Sequence, residues 1–265
     1  MDRDYSFFMN ENQAFQILRK YGSANDARII ARHIFKSRFA VLVAAWRLRR
    51  GVPVAKIIGK KWFYGMEFIT GRHTLDPRPD SETLVDAVLK NIGAQTRAPA
   101  ILDLGTGTGC LICAIVKNTP GATGIGIDKS GAACRVARHN VKKHGLENRI
   151  QILKKDFKSQ ISNFKSQFDI IISNPPYIAV GDSRVDTGAS HDPKMALYSG
   201  ADGLDSYRAI SASARHLLKP KGRAFFEIGA GQGDAVRELF AASGWTFVAS
   251  QNDLSGTERV LVFGG

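Results

Sequence analysis

From Ala100 onward the chain alternates short apolar runs with amphipathic stretches, and this alternation limits the possible folds more than any other feature. Apolar runs of strand length fall at 100–104, 124–127, 150–153, 169–172, 223–228, 246–250 and 259–263. Helical periodicity fills 110–117, 131–144, 204–218 and 233–242. Strands separated by helices imply a mostly parallel sheet covered on both faces, an α/β fold. In such sheets ligands bind outside the carboxyl ends of the strands.

The first part of the chain reads differently. Ala27, Ile30, Ala31 and Ile34 share one helical face, Arg28, Arg32 and Lys36 the other, with Asn25 as the expected N-cap. A second apolar helical stretch covers 39–48, and Gly51 and Pro53 punctuate its end. Residues 61–75 are rich in aromatics, glycine and β-branched residues, the pattern of a hairpin. Helical periodicity returns at 81–89, with Leu84, Val85 and Val88 on one face. The expected organisation is a small helical N-terminal domain (1–58), a hairpin linker (59–76) and an α/β domain (77–265).

Charge is concentrated at the start. Residues 1–61 hold 13 basic and 4 acidic side chains, +9 of the chain's total of +13. A basic N-terminal quarter suits an acidic or RNA-associated partner, and equally a well-solvated surface. Hydrophobic content of 44% is ordinary for a globular protein, and no apolar run nears the ~20 residues of a membrane span. The start has no signal-peptide pattern. Three cysteines, Cys110, Cys113 and Cys134, make no disulfide framework, so a reducing compartment, the cytoplasm, is expected. The C-x-x-C of Cys110 and Cys113 reads as two small apolar residues packing a helix on the sheet.

The first expected strand runs into Gly105-Thr106-Gly107-Thr108-Gly109. Glycines allow a sharp turn and close approach of a ligand to the backbone. Cys110 stands where a dinucleotide fingerprint needs its last glycine, and no G-K-[ST] is present to cradle a triphosphate. Asp128 ends the next strand, about 20 residues on, where a carboxylate can take both ribose hydroxyls. Asp156 and Phe157 end the third, offering an acceptor for an adenine amine and a cover for its ring. The set favours S-adenosylmethionine over NAD.

Asn174-Pro175-Pro176-Tyr177 follows the apolar run 169–172. An amide or arylamine nitrogen is a poor nucleophile because its lone pair is delocalised. Two acceptors set against its two N–H groups orient it and favour its developing positive charge. The Asn174 side-chain oxygen and the Pro175 carbonyl can supply them, held by consecutive prolines. Tyr177 can pack flat on a planar substrate group.

With D-P-R-P-D-S-E-T-L-V at 76–85, N-P-P-Y-I at 174–178, D-P-x-x-A-L at 192–197, D-G-L-D-S-Y-R at 202–208, E-I-G-x-G-Q-G at 227–233 and D-L-x-G-x-x-R at 253–259, the chain resembles the release-factor glutamine methyltransferase family. The resemblance runs from about residue 51 onward. It implies a seven-stranded Rossmann-like class I methyltransferase domain behind a helical domain that grips the protein substrate. It implies methylation of the glutamine in the Gly-Gly-Gln motif of class I peptide release factors. By position it assigns Gly105–Gly109, Asp128, Phe157 and Asn174 to S-adenosylmethionine, and Asn174–Tyr177 to the substrate amide. Phe157 stands where the family commonly has tryptophan, and His191-Asp192 where it commonly has two acids. No metal, membrane association or direct nucleic-acid binding is expected, and a monomer is. Three other readings stay open: a ribosomal-protein glutamine methyltransferase, an adenine-amine methyltransferase that must expose its base, and a non-catalytic scaffold.

Overall fold

A seven-stranded sheet organises the chain in the computed structural model, which describes residues 9–93, 98–161, 164, 167–182 and 189–265. Residues 1–8 of the expected N-terminal domain lie outside the described residues. Four helices come first: α1 (Glu11–Leu18), α2 (Ala24–Ile34), α3 (Arg38–Arg49) and α4 (Val54–Ile58). They enclose their own apolar core, which includes Leu18, Ile30, Val41 and Leu48. Ser23, not Asn25, caps α2: its Oγ accepts the Asp26 N–H at 3.1 Å, so Asn25 lies inside the first turn. A serine hydroxyl three residues before a free N–H outcompetes an asparagine already committed to helical backbone.

The antiparallel hairpin of β1 (Lys60–Phe63) and β2 (Met66–Ile69) follows, then α5 (Glu82–Ile92). The main sheet is built from β3 (Ala100–Leu104), β4 (Thr123–Asp128), β5 (Ile150–Lys154), β6 (Phe168–Ser173), β7 (Leu218–Glu227), β8 (Thr246–Asn252) and β9 (Glu258–Gly264). Its order is β5-β4-β3-β6-β7-β9-β8, and β9 alone runs against its neighbours. The helices α6 (Cys110–Asn118), α7 (Gly131–Lys143), α8 (Lys194–Leu197), α9 (Asp205–Ser213) and α10 (Gly233–Ala242) connect the strands.

Alternation along the strands divides the core in two. Ile101, Ile170 and Ile172 face α5, α6, α7 and the hairpin phenylalanines Phe63 and Phe68. Leu102, Leu104 and Ile171 face Tyr207 and Ile210 of α9 and Phe240 of α10. β6 is buried at every position. The chain leaves β3 in one direction for β4 and β5 and then returns to β6 on the other side. The carboxyl ends of β3 and β6 therefore flank a topological switch point, where an open α/β sheet leaves a crevice.

Asn140 of α7 ties the hairpin to that crevice. Its Oδ1 accepts the Ile69 N–H at 2.8 Å, and its Nδ2 donates to the carbonyls of Ile69 and Thr108, each at 2.9 Å. Asn140→Ala strands these groups at a cost of about 1–3 kcal/mol for each buried one. Urea unfolding of the variant should show a loss of at least about 2 kcal/mol; an unchanged midpoint would show that the residue only fills space.

Candidate active site

The loop after β3 turns through three glycines with positive φ: Gly105 (78°), Gly107 (56°) and Gly109 (77°). An L side chain is strained at these angles, so the sequence G-x-G-x-G is a backbone requirement. The Gly105 and Thr106 N–H groups both donate to the Ile127 carbonyl, at 2.9 and 2.8 Å, which folds the loop over the end of β4. Asp128, the last residue of β4, closes it: Oδ2 accepts the Gly107 N–H at 3.0 Å and Oδ1 the Ser130 N–H at 2.8 Å. Burial raises the Asp128 pKa, against the pull of those two hydrogen bonds.

Gly105, Gly107, Thr108, Asp128, Asp156 and Phe157 line one cavity of about 1060 Å³, its open mouth included. Asn174 and Pro176 line the same cavity from the β6 side. Thr106, Gly109, Pro175 and Tyr177 do not line it. Thr106 instead donates from Oγ1 to Asp103 Oδ2 at 2.6 Å beneath the loop, and Gly109 caps α6. The buried Asp103 carboxyl is pushed up to about 7 by desolvation. Pro175 is buried, and the Tyr177 ring packs among the core side chains on the α9 and α10 face. Burial, aided by the Glu227 carboxyl, lifts its phenol to about 12.

The loop from Asn174 to Tyr177 is held from behind. Asn174 Nδ2 donates to Ser81 Oγ at 3.0 Å, and both residues line the cavity. Gln232 accepts from the Gly229 N–H at 3.0 Å and donates to the Tyr177 carbonyl at 2.9 Å. A Cβ on Gly203 would collide with that same carbonyl oxygen. Tyr207 donates its hydroxyl to the Glu227 carbonyl at 2.8 Å, and Arg259 binds the Ile228 carbonyl, Asp253 and Asp80. The scattered motifs at 76–85, 202–208, 227–233 and 253–259 thus meet in one layer behind one loop.

Sequence reasoning did not single out Lys56. It is buried, and its Nζ lies 2.9 Å from Asp76 Oδ1 and 2.8 Å from Asp192 Oδ1. It also donates to the carbonyls of Gly71 and Thr74, at 2.7 and 2.5 Å. Arg78 binds the other Asp192 oxygen at 2.6 Å. One cation from α4 therefore joins the linker to the stretch 192–198, several of whose residues line the cavity. No sequence pattern announces a contact between residues 136 positions apart. Cys110 touches the cavity, and burial pushes its thiol up to about 12, which disfavours the thiolate. Among the described residues no group of His, Cys, Asp and Glu could hold a metal ion, and no helix is long and apolar enough to cross a membrane.

A parallel sheet with one antiparallel strand, a glycine loop after β3 and a polar corner after β6 opposite it define a class I methyltransferase. The family model described as "Methyltransferase small domain" matches residues 75–190. The fold is shared with the hMettl16 catalytic domain (TM-score 0.58, 16% identity, 92% of this chain and 82% of that one). It is shared too with a ribosomal protein L11 methylase from Lactobacillus delbrueckii subsp. bulgaricus (TM-score 0.51, 18% identity, 71% and 79%). Curated relatives named release factor glutamine methyltransferase are far closer in sequence. The one from Rhodospirillum rubrum is 40% identical over 89% of this chain and 77% of its own length. The one from Agrobacterium fabrum is 38% identical over 86% and 78%. The chain belongs to the release factor glutamine methyltransferase family.

Lys56→Met leaves two buried carboxylates without their shared cation, a change that costs about 3–5 kcal/mol when a buried pair is broken. Urea unfolding should show a loss of that order, with faster hydrogen exchange in 192–198. A loss below about 1 kcal/mol would mean that water replaces the ammonium freely.

Proposed function

We propose that this chain transfers a methyl group from S-adenosylmethionine to the side-chain amide nitrogen of the glutamine in the Gly-Gly-Gln motif of class I peptide release factors, in the cytoplasm. The names of the relatives support the substrate. The observation that supports the chemistry is the Asn174 amide on the cavity wall, whose Nδ2 is engaged by Ser81 and whose oxygen can then accept from a substrate N–H.

The cavity's donor set fits S-adenosylmethionine. Asp128 has spare lone pairs for two ribose hydroxyls after accepting two backbone N–H groups. Asp156 suits the adenine amine, and Phe157 is an apolar face beside Gly105, where an added Cβ would lie 3.6 Å from its ring. Gly105, Gly107 and Thr108 form the lining of the backbone cradle, and Thr106 and Gly109 hold its shape from beneath. The bound cofactor supplies an electrophilic methyl group on a sulfonium. Asn174 Oδ1 and the Pro175 carbonyl accept the two N–H groups of the substrate amide and so hold its nitrogen in line with that methyl. As positive charge grows on the nitrogen, both hydrogen bonds become charge-assisted and strengthen. The sulfur–methyl bond would break as the nitrogen–methyl bond forms, S-adenosylhomocysteine would be the leaving group, and the alkylated nitrogen would shed a proton to water without a strong base. Pro175 and Pro176 keep the acceptors in place, and Tyr177 anchors the corner and bounds the substrate side. We assign residues 1–58 to substrate recognition, 59–76 to the linker and 77–265 to catalysis.

Radiolabel from S-adenosylmethionine, offered to release factor, ribosomal proteins and DNA side by side, should enter the release factor. Mass spectrometry should place it on the Gly-Gly-Gln peptide; label confined to ribosomal protein or DNA would overturn the assignment. Asn174→Ala should cut kcat by about a hundredfold or more, as loss of a transition-state hydrogen bond does, with a smaller change in cofactor affinity. Unchanged turnover would remove Asn174 from the mechanism. Asp128→Ala should weaken S-adenosylhomocysteine binding by about 1–3 kcal/mol in calorimetry, and no change would misplace the ribose.

A further inference from the structure

An asparagine amide can present either its oxygen or its nitrogen to a cavity, because rotation by half a turn exchanges two groups of nearly equal size. As an acceptor for a substrate N–H, Asn174 needs the oxygen outward. Ser81 Oγ, the partner of Asn174 Nδ2, does not by itself enforce that direction. A hydroxyl donates to an amide oxygen as readily as it accepts from an amide nitrogen. The hydroxyl proton must be drawn elsewhere.

Glu227 supplies the direction. Its carboxyl is buried at the end of β7, and Ser81 and Asn174 both face it. Oε2 has no hydrogen-bond partner among the described residues. An ionised carboxylate only accepts. We propose that Ser81 and Glu227 are positioning residues that set the Asn174 amide: the Glu227 carboxylate draws the Ser81 hydroxyl proton and accepts from the amide nitrogen as well, Ser81 Oγ is left as a second acceptor for Nδ2, and Oδ1 turns to the substrate. The inference rests on the methyl-transfer reading above and adds two residues to it.

The chain is reversible with protonation. Burial pushes the Glu227 carboxyl up to about 7, with Ser81, Arg259 and Asn174 opposing the rise and Asp80 adding to it. Tyr177, Tyr207 through its bond to the Glu227 carbonyl, and the Cys110 thiol also face it. Below its pKa the carboxyl is a donor, the hydroxyl can reverse, and the amide oxygen is drawn inward. Neither a glutamine amide nor a sulfonium titrates in this range. Asp103, also pushed up to about 7, lies under the glycine loop, so variants must separate the two acids.

The test pairs turnover with a spectrum of the free enzyme. In wild type, kcat on release factor should rise with pH through about 7 while KM changes little. Glu227→Gln should remove that limb and lower kcat on its alkaline side by about tenfold or more. Ser81→Ala should lower kcat similarly, and Ser81→Thr, which keeps the hydroxyl, should restore most of it. In ligand-free protein labelled with 15N-asparagine, the Asn174 side-chain NH2 signals, assigned by their absence in Asn174→Asp, should shift with pH in wild type and stay fixed in Glu227→Gln. An Asn174 signal that ignores pH, or Glu227→Gln with a wild-type limb and rate, overturns the proposal. If Ser81→Ala does not fold, Glu227→Gln and the spectrum decide. If wild type methylates no release factor, the substrate assignment fails, and the spectrum still reads the relay.

Discussion

The active corner depends on where the buried strand β6 stops. Every residue of Phe168–Ser173 is enclosed, and Ser173 donates from Oγ to the Leu104 carbonyl at 2.6 Å, pinning the strand end to the end of β3. Asn174 is the first residue to emerge, and two prolines fix the backbone beyond it. The next residues are tied down at once. Ile178 N–H donates to Leu197 O and Ser199 N–H to Ile178 O, both at 2.9 Å, and the Tyr177 carbonyl is taken by Gln232. The corner is therefore stiff before any ligand arrives, which is what orientation of a weak nucleophile demands.

Charge buried around the crevice serves the same end. Lys56 holds Asp76 and Asp192 together, although isolated buried charges are costly. Two further acids, Asp103 and Glu227, sit under the glycine loop and behind the corner, both lifted by desolvation. Asp103 accepts from the Thr106 hydroxyl beneath the loop, and Glu227 faces Ser81, itself on the cavity wall. Placing these two acids one layer back leaves Ser81, Asn174 and Pro176 as an uncharged part of the wall, beside Asp76 and Arg78.

What the sequence conveyed follows from how local each signal is. Strand periodicity and the positive-φ glycines are properties of a few neighbouring residues, so the seven strands and the loop 105–109 were legible. The N-terminal helices were legible as a region, but α1 was not singled out despite its capping box of Asn10 and Gln13, and Asn25 was preferred to Ser23. A polar residue near a helix start is ambiguous until the backbone is known. Asn174 and its prolines were readable because their chemistry is contained in four residues. Ser81, Glu227 and Lys56 act through partners 93 or more residues away, or across the sheet, and only the folded chain brings them to the corner. Tyr177 combines a local and a distant signal: its motif position suggests a substrate platform, and its half-buried ring packs against the core beside Gly229, which only the fold reveals.

The central claim is geometric, and a crystal structure with S-adenosylhomocysteine and a Gly-Gly-Gln peptide tests it most directly. The account predicts the glutamine nitrogen about 3 Å from both Asn174 Oδ1 and the Pro175 carbonyl, with the cofactor sulfur on its far side. A glutamine bound with its nitrogen away from both oxygens, or an Asn174 amide turned nitrogen-outward in that complex, would contradict it.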